Sequence, residues 1–427
     1  MSKNVVALVD CNNFYVSCER AFQVTLRNKP VVVLSNNDGC VVARSNEAKN
    51  VGIKMGQPFF QCQDIITKHH VQVFSSNYSF YADMSARVMN VLAQFSTDVE
   101  VYSIDEAFLN LSNLAIDDCT EFGQTLKASV LQLTGIPVSV GIAPTKSLAK
   151  IATELVKKEA SYKGVLDLTC YDNAHIDAFL ERVSIDDVWG IGRTYALFLN
   201  NYGFRTARDL KYADQRWIRR HLTITVERIV LELRGTSCLP IQTRIVPKKG
   251  IMCAKTFGRD ITTQQELEES IATYTARAAE KLRQQDSLTA LLTVFIQTNR
   301  FKTEQPQYAN AFTVDIAYPT AFTPELIRYA LESLNAMYRP GYRYRKAGVY
   351  LGHITPGEAV QPDLFGAFSP DIHHRQGRLM FILDALNRIY GPNTLFFAAQ
   401  GIARPWAMRQ RWLSPHVTTR WNEILTV

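Results

Sequence analysis

Three carboxylates stand where segments of strand character end. Asp10 closes the apolar run 5–10, and Asp105 and Glu106 lie far downstream at the turn of a second, alternating segment. A charge at the end of a buried strand is costly unless something compensates it. Carboxylate oxygens suit Mg²⁺, and two such ions roughly 3.5–4 Å apart can activate a hydroxyl and stabilise the leaving oxygen in phosphoryl transfer. The trio therefore predicts a catalytic metal site, although a single acid in a turn is more often simply solvated.

The elements around these carboxylates have the pattern of a mixed α/β domain. Apolar runs predict strands, and apolar stripes of helical spacing predict helices. The predicted strands lie at 5–10, 31–35 and 137–142, and the predicted helices at 45–51, 80–95, 118–133 and 145–158. Alternation over 98–111 predicts a hairpin whose turn is 103–106. A central sheet would therefore place Asp10 and the 103–106 turn in one domain.

The second half of the chain changes character twice. Residues 171–240 predict short helices, whereas 250–354 predict a small α+β domain with helices at 266–285 and 324–338. From about 355 onwards Pro and Gly are more frequent and the periodicity is weaker. A length of 427 residues fits about three domains.

Composition limits the classes of protein that the chain can belong to. No apolar run approaches the roughly 18–20 residues of a membrane helix, and the first apolar run is too short for a signal peptide. The eight cysteines form no C-x-x-C pair, which favours reduced thiols. We therefore expect a cytoplasmic protein. The net charge is +7, and residues 241–355 carry 15 basic against 10 acidic side chains; this suits a polyanion partner or, more simply, a solvated basic face.

Several motifs carry a resemblance to one family. Residues 10–15 (DCNNFY), 102–107 (YSIDEA) and 141–152 (GIAPTKSLAKIA) resemble the Y-family (translesion) DNA polymerases over the whole chain. Residues 32–40 and 75–78 are similar, more narrowly, to the UmuC-type catalytic subunits of bacterial DNA polymerase V and their plasmid-borne relatives. The resemblance implies an α+β multidomain, right-hand polymerase fold with a ferredoxin-like palm. The implied parts are a palm (1–24 and 77–170), small fingers (25–76), a helical thumb (171–240), an α+β little finger (250–354) and a C-terminal partner-binding region (355–427).

The resemblance also implies roles for residues of the site. Asp10, Asp105 and Glu106, with the backbone carbonyl of Cys11, would be the catalytic residues and metal ligands for two Mg²⁺ ions, with Mn²⁺ able to substitute. Tyr15, preceded by Phe14, would be the steric gate that rejects a 2′-hydroxyl. An isolated tyrosine is more often a core residue.

Two lysines would contact the triphosphate by the same resemblance. These are Lys49 and Lys157, and Lys157 follows Lys150 by seven residues, which places both on roughly the same helix face. Many family members have Tyr and Arg where this chain has Asn46 and Lys49, so Lys49 would make a weaker, monodentate contact. The plainer alternative for each lysine is a solvated side chain.

Residues 188–193 (VWGIGR) lie between two helical patterns. Gly190 and Gly192 permit a tight turn whose N–H groups can face a phosphate, and Arg193 follows them. This resembles a helix–hairpin–helix that contacts the DNA backbone, although a Gly-x-Gly is often just a helix connection. The basic residues of 250–354 would bind the duplex without sequence specificity.

The C-terminal region carries two candidate interaction motifs. Gln361, Leu364 and Phe365 in QPDLF resemble the pentapeptide that docks in the bacterial sliding clamp. Further on, Trp406, Trp412 and Trp421 are interleaved with arginines, which suits a protein interface, single-stranded nucleic acid or a segment packed on the body. The UmuC-type resemblance favours protein partners, namely a UmuD-type accessory subunit dimer and a recombinase filament.

These features predict a low-fidelity DNA-directed DNA polymerase that performs translesion synthesis in the SOS response to DNA damage. Its substrates would be primer-template DNA and dNTPs. Two alternatives remain at this stage. A nucleotidyl cyclase has a similar two-metal palm but no use for a thumb hairpin or a clamp peptide. A non-catalytic DNA-binding adaptor that recruits partners to stalled forks would keep its function without Asp105 and Glu106.

Overall fold

The computed structural model describes residues 4–244, 246–357 and 369–425, and forms two compact units. Unit 1 comprises Met1–Ser35, Gly39–Ile245 and Arg411–Val427, and unit 2 comprises Asn36–Asp38 and Val246–Gln410. The predicted clamp motif at 361–365 lies outside the described residues. None of the helices in the described parts of the chain has an apolar stretch of the length that a membrane span requires.

Unit 1 is built on a five-stranded sheet. In chain order its strands are β1 (Val6–Cys11), β5 (Val99–Val101), β6 (Glu106–Asn110), β7 (Val138–Ala143) and β8 (Val165–Asp167), arranged as β5-β6-β1-β7-β8. The central strand β1 pairs antiparallel with β6 and with β7. All six of its residues are buried, as its continuous apolar sequence predicts for a strand covered on both faces.

A second, three-stranded sheet completes the strands of unit 1. It consists of β2 (Val31–Leu34), β3 (Val41–Arg44) and β4 (Gln72–Ser75) in the order β3-β2-β4, and β2 and β4 run parallel. In the C-terminal segment of unit 1, Leu413 forms a parallel bridge with Ser75 at the end of β4. The tail is thereby attached to the body of unit 1.

Eleven helices of unit 1 surround these sheets in the described residues. They are α1 (Phe14–Phe22), α2 (Asn46–Asn50), α3 (Gln63–Lys68), α4 (Tyr78–Leu92), α5 (Cys119–Thr134), α6 (Lys146–Lys158), α7 (Asn173–Glu181), α8 (Arg193–Asn201), α9 (Ala207–Lys211), α10 (Gln215–His221) and α11 (Ile224–Leu233). The bounds of α2, α4, α5 and α6 lie within a few residues of those predicted from the periodicity, because the apolar stripes are the buried faces, whereas α1 and α3 were not predicted.

Helix α6 is the element that approaches the carboxylates. Thr145 caps its start by accepting a hydrogen bond from the backbone N–H of Leu148. The helix packs closely on β7 because residue 141 is glycine; a Cβ there would collide with the backbone carbonyl of Ala149 and with Thr153. A larger residue at 141 would push α6, and the lysines it carries, away from the sheet.

The described residues of unit 2 form one four-stranded antiparallel sheet and three α-helices. The strands are β9 (Ile251–Ile261), β10 (Ser287–Thr298), β11 (Ala309–Thr320) and β12 (Tyr344–Pro356), in the order β11-β10-β12-β9, and the helices are α12 (Gln264–Gln284), α13 (Thr323–Met337) and α14 (Pro370–Tyr390). Trp406 is 4% exposed and belongs to the core of this unit.

Helix α14 was not predicted from the sequence. It spans 21 residues in a region whose periodicity is weak, and Met380 is its one buried residue. Several of its other apolar side chains, among them Phe381 and Ile389, are exposed. Since they do not form a single buried stripe, the pattern that predicts an amphipathic helix is missing.

Candidate active site

The antiparallel pairing of β1 with β6 brings the predicted catalytic residues together. Asp10 lies directly opposite Glu106 in the register. Asp105 precedes β6, and its carbonyl accepts a hydrogen bond from the N–H of Cys11 at 2.8 Å. Asp10 is 6% exposed, while Asp105 and Glu106 are partly buried. Two distant segments of the chain therefore meet at one end of the two central strands.

Two lysines from α6 reach this carboxylate pair. The Nζ of Lys157 lies 2.7 Å from Oδ2 of Asp10, and the Nζ of Lys150 lies 2.8 and 2.7 Å from the two carboxylate oxygens of Glu106. A spacing of seven residues is close to two helical turns, so both side chains leave the same face of α6. Lys150 was not predicted as a site residue, although its spacing from Lys157 was a usable signal.

Aromatic side chains cover Lys150. Its ammonium lies 4.6 Å from the ring centre of Tyr102 and 5.7 Å from that of Trp189. Trp189 in turn donates a hydrogen bond from Nε1 to the hydroxyl of Tyr102 at 3.0 Å. These contacts orient Lys150 towards Glu106 and exclude water from one side of the ion pair.

The pKa values of Asp10 and Glu106 are shifted in opposite directions. Burial raises the pKa of Asp10 well above its ordinary value, and the hydrogen bond with the Glu106 carboxyl raises it further, although Lys157 opposes this. Burial also acts to raise the pKa of Glu106, but its hydrogen bonds with Asp10 and Lys150 outweigh that effect and lower the pKa. Like charges this close favour one shared proton or an added cation.

The carboxylate of Asp105 is turned to a neighbouring serine. It accepts a hydrogen bond from the hydroxyl of Ser103 at 2.5 Å, and the same hydroxyl oxygen accepts the N–H groups of Asp105 and Glu106. Across residues 4–244, 246–357 and 369–425, no three His, Cys, Asp or Glu side chains are arranged to hold a metal ion together. The donor set nevertheless fits a hard cation, since the carboxylates of Asp10 and Glu106 are adjacent and offer only oxygen ligands.

Tyr15 lies near the carboxylates in the first turn of α1. It is half-buried, and its ring stacks on that of Tyr81, with centroids 4.4 Å apart and planes 15° apart. Tyr78 meets the ring edge-on at 6.4 Å. Burial raises the pKa of Tyr15, with a further contribution from Tyr78 and Asp105. Phe14 is 4% exposed and packs in the core, so Tyr15 is the ring of this pair that a ligand can reach.

Cationic side chains gather beside the carboxylates. Burial lowers the pKa of Lys49, and the nearby positive charges of Arg44 and Lys157 lower it further. The Nζ of Lys49 donates to Oδ1 of Asn46 at 3.0 Å, and the same oxygen accepts Nδ2 of Asn13 at 3.3 Å. Mutually repelling cations of this kind are stabilised by an anion, such as a phosphate.

The Gly-x-Gly turn lies at the start of α8. Gly190 has φ of 85°, and a Cβ there would meet Ile229, whereas Gly192 has an ordinary φ of −78° and open space around it. Gly192 is the N-cap of α8 and Arg193 its exposed first residue. The turn follows Trp189, so the predicted DNA-contacting residues adjoin the aromatic cover of Lys150.

Comparison with known proteins assigns the chain to a class and a family. The structure is similar to a solved Y-family DNA polymerase chimera of Dbh and Dpo4, with a TM-score of 0.65 and 22% sequence identity over 82% of this chain and 99% of that one. The fold is therefore that of a Y-family DNA polymerase. Residues 9–154 match the impB/mucB/samB family, 248–364 match the C-terminal domain of that family, and 377–427 match a domain of unknown function.

The chain belongs to the impB/mucB/samB family. It is 42% identical to Protein UmuC of Salmonella typhimurium over 99% of both chains, and 41% identical to Protein ImpB of the same species over 98% of both. These relationships confirm two predictions: the fold class, and the membership of this chain in the UmuC-type group of Y-family polymerases.

Proposed function

We propose that this chain is a low-fidelity DNA-directed DNA polymerase that performs translesion synthesis by two-metal nucleotidyl transfer, as part of SOS mutagenesis. The observation that carries the proposal is the Asp10–Glu106 pair, which β1 and β6 hold side by side. Two lysines and a half-exposed tyrosine face the same place. A polymerase needs hard oxygen ligands, positive charge for a triphosphate and a wall against the sugar at one site, and these residues would supply all three.

The carboxylates would hold the metal ions. Asp10, Asp105 and Glu106, with the backbone carbonyl of Cys11, would bind two Mg²⁺ ions, and Mn²⁺ would substitute. The ions, when bound, supply the charge that activates the primer 3′-hydroxyl and stabilises the departing pyrophosphate. Lys150 would keep Glu106 ionised and in place, because it donates to both carboxylate oxygens.

The remaining residues would bind and orient the nucleotide. Lys157 and Lys49 would contact the triphosphate as point charges, and Lys157 would exchange Asp10 for phosphate oxygens. Tyr15 would lie against the sugar, where a 2′-hydroxyl would collide with the ring or lose its solvation without a new partner. Arg44 stands near enough to Lys49 to affect its pKa, so it adds to the same positive field.

DNA would be bound by two separate parts of the chain. The turn at Gly190 and Gly192, with Arg193, would contact the phosphate backbone through N–H groups at the start of α8. Residues 250–354 would act as the little finger and bind the duplex through their excess positive charge. In this assignment 1–24 and 77–170 form the palm, 25–76 the fingers and 171–240 the thumb.

We further propose protein partners for the C-terminal region. Gln361, Leu364 and Phe365 would dock in a sliding clamp, and 355–427 as a whole would serve contacts with a UmuD-type accessory dimer and a recombinase filament. Membership of the impB/mucB/samB family supports these partners and a bacterial cytoplasmic setting.

Primer extension on undamaged and abasic templates tests the proposal. The purified chain, with Mg²⁺ and dNTPs, would be compared with Asp105→Ala/Glu106→Ala and with Asp167→Asn. Asp167 serves as the control because it is another carboxylate of the same sheet, 7% exposed and at the end of β8. We expect extension by wild type and Asp167→Asn and none by the double variant.

Two outcomes would contradict this expectation. Equal extension by the double variant would remove the carboxylates from catalysis. Retained DNA binding without extension by wild type, even with clamp and accessory subunit added, would favour the non-catalytic adaptor.

A further inference from the structure

The C-terminal segment is hydrogen-bonded to the end of β4. The N–H of Ser75 donates to the carbonyl of Trp412 at 2.9 Å, and the N–H of Trp412 donates to Oγ of Ser75 at 3.0 Å. The Trp412 ring also packs on Phe59, with centroids 4.9 Å apart. The tail is therefore anchored by backbone pairing and by an aromatic contact.

Asn77 connects the tail to the start of α4. Its Oδ1 accepts the N–H of Phe80 at 3.4 Å and caps the helix, while its Nδ2 donates to the carbonyl and to Oγ of Ser414 at 3.0 and 3.1 Å. Asn77 is 1% exposed, so each of these bonds is made away from water. The first turn of α4 is thus held on one side by the tail.

A buried carboxylate links the same serine to a tyrosine of that turn. Oε1 of Glu19 accepts the hydroxyl of Ser414 at 2.8 Å and the hydroxyl of Tyr81 at 2.7 Å. The three side chains are between 0 and 5% exposed. Hydrogen bonds to a buried acceptor of this kind are costly to break, because the partner left behind cannot bind water.

Tyr81 is also the ring on which Tyr15 stacks, and Tyr78 of the same helical turn meets Tyr15 edge-on. A steric gate discriminates only if its ring cannot yield, since a shift of about 1 Å in a positioned group is enough to change a reaction markedly. The hydrogen bond that holds Tyr81 in place therefore also limits the movement of the Tyr15 ring stacked on it.

We propose that the C-terminal segment around Trp412 and Ser414 is a positioning element for sugar selection, acting through Asn77, Glu19 and Tyr81 on the ring of Tyr15. The inference rests on the proposed function, in which Tyr15 faces the sugar of the incoming nucleotide. This proposal assigns a role to Trp412 and Ser414, which lie within the matched domain of unknown function at 377–427. It also assigns a role to the 75–78 motif. A purely structural tail would affect stability but not the choice between ribose and deoxyribose.

The test compares Ser414→Ala and Tyr81→Phe with wild type, and uses Ser96→Ala as control. Ser96 is 5% exposed, like Ser414, and donates to the carbonyl of Asn110 at 2.8 Å in the same unit. The measurement is the ratio of kcat/KM for a dNTP to that for the matching rNTP in single-nucleotide insertion. Ser414→Ala removes the buried hydrogen bonds of Oγ with Glu19 and Asn77, and Tyr81→Phe removes the one to Glu19. Either loss should lower this ratio roughly 3- to 10-fold, and the control should leave it unchanged.

A second measurement does not depend on turnover. The Kd values of dNTP and rNTP for the full chain on a dideoxy-terminated primer should converge in Ser414→Ala and Tyr81→Phe, mainly because the rNTP binds more tightly. Tyr15→Ala provides the upper limit of the effect.

The outcomes separate this inference from the function on which it rests. If wild type neither inserts nor binds nucleotides, the polymerase proposal fails and the inference fails with it. If Tyr15→Ala keeps the wild-type ratio, the steric gate is misassigned. If Tyr15→Ala loses selectivity while Ser414→Ala and Tyr81→Phe keep it, the polymerase stands and the positioning role is overturned.

Discussion

Lys157 in the last turn of α6 donates a hydrogen bond to Asp10, 2.7 Å from Nζ to Oδ2, and thereby joins a helix to the end of the central strand. The ammonium is partly exposed, whereas the carboxylate is largely buried. In the proposed function, the exposed ammonium would turn towards an arriving phosphate while the buried aspartate stays in place. Lys157 would then exchange its contact with Asp10 for one with the triphosphate.

Replacement of Lys157 by Ala should weaken nucleotide use. A charge-assisted contact with phosphate is lost, so kcat/KM for dNTP insertion should fall roughly 10- to 100-fold, mostly through KM. Lys158→Ala is the matched control, because Lys158 is the next residue, about half-exposed, and pairs with Asp187 at 3.4 Å. Steady-state insertion kinetics measure both. An equal loss in the two variants would indicate a general effect of helix charge.

The buried ion pair between Lys146 and Glu100 should matter for stability. Lys146 is 5% and Glu100 13% exposed, and Lys146 also donates to the carbonyl of Pro240. Lys146→Met removes the cation that pairs with Glu100 and leaves this carboxylate only the N–H of Gln242, which costs about 3 kcal/mol in such settings. Lys158→Met breaks an exposed pair worth about 0.5 kcal/mol or less. Thermal unfolding should show a clear fall in Tm for the first variant alone. Similar Tm values for Lys146→Met and Lys158→Met would mean that water replaces Lys146 as the partner of Glu100.

The local elements of the site could be predicted from the sequence, but the residue pairs that those elements form could not. Apolar runs and alternation predicted β1 and the turn before β6, because a buried strand has a distinctive pattern. The pairing of Asp10 with Glu106 depends on a sheet register between segments far apart in the chain. The ion pair between Lys150 and Glu106 depends on how α6 packs on that sheet. No local sequence pattern encodes this packing.

The three C-terminal tryptophans show the same limit more sharply. Trp406 is 4% exposed in the core of unit 2, Trp412 packs on Phe59 in unit 1, and Trp421 is 91% exposed. The residue type and the neighbouring arginines are alike in all three cases. Only tertiary packing separates a core residue, an anchor and an exposed side chain.

Glu19 should make stability depend on pH. Burial raises its pKa from 4.5 to about 6, although the hydroxyls of Tyr81 and Ser414 oppose the shift. Because the folded chain holds the proton more tightly than the unfolded chain, the contribution to stability is full below pH 4.5 and is lost as pH rises through 6. A pKa shift of this size changes the free energy of unfolding by about 2 kcal/mol.

Glu19→Gln isolates that contribution. The amide oxygen still accepts both hydroxyls but cannot ionise, so the Tm of the variant relative to wild type should increase between pH 4.5 and pH 7.5. The difference between the two proteins cancels the titration of other groups. A constant difference in Tm across this range would show that folding does not raise the pKa of Glu19.

Gly190 and Gly192 should respond differently to the same substitution. Gly190→Ala places a Cβ against Ile229 in a backbone with φ of 85°, so the turn should distort at a cost of about 1–3 kcal/mol. Gly192→Ala meets open space at a φ of −78° and should cost much less. If the N–H groups of this turn bind phosphate, Gly190→Ala should also weaken duplex binding several-fold at low salt, and Gly192→Ala should keep it. Fluorescence anisotropy with a labelled primer-template, read beside the Tm of each variant, decides this. Loss of stability in Gly190→Ala with unchanged DNA affinity would make the turn a helix connection only.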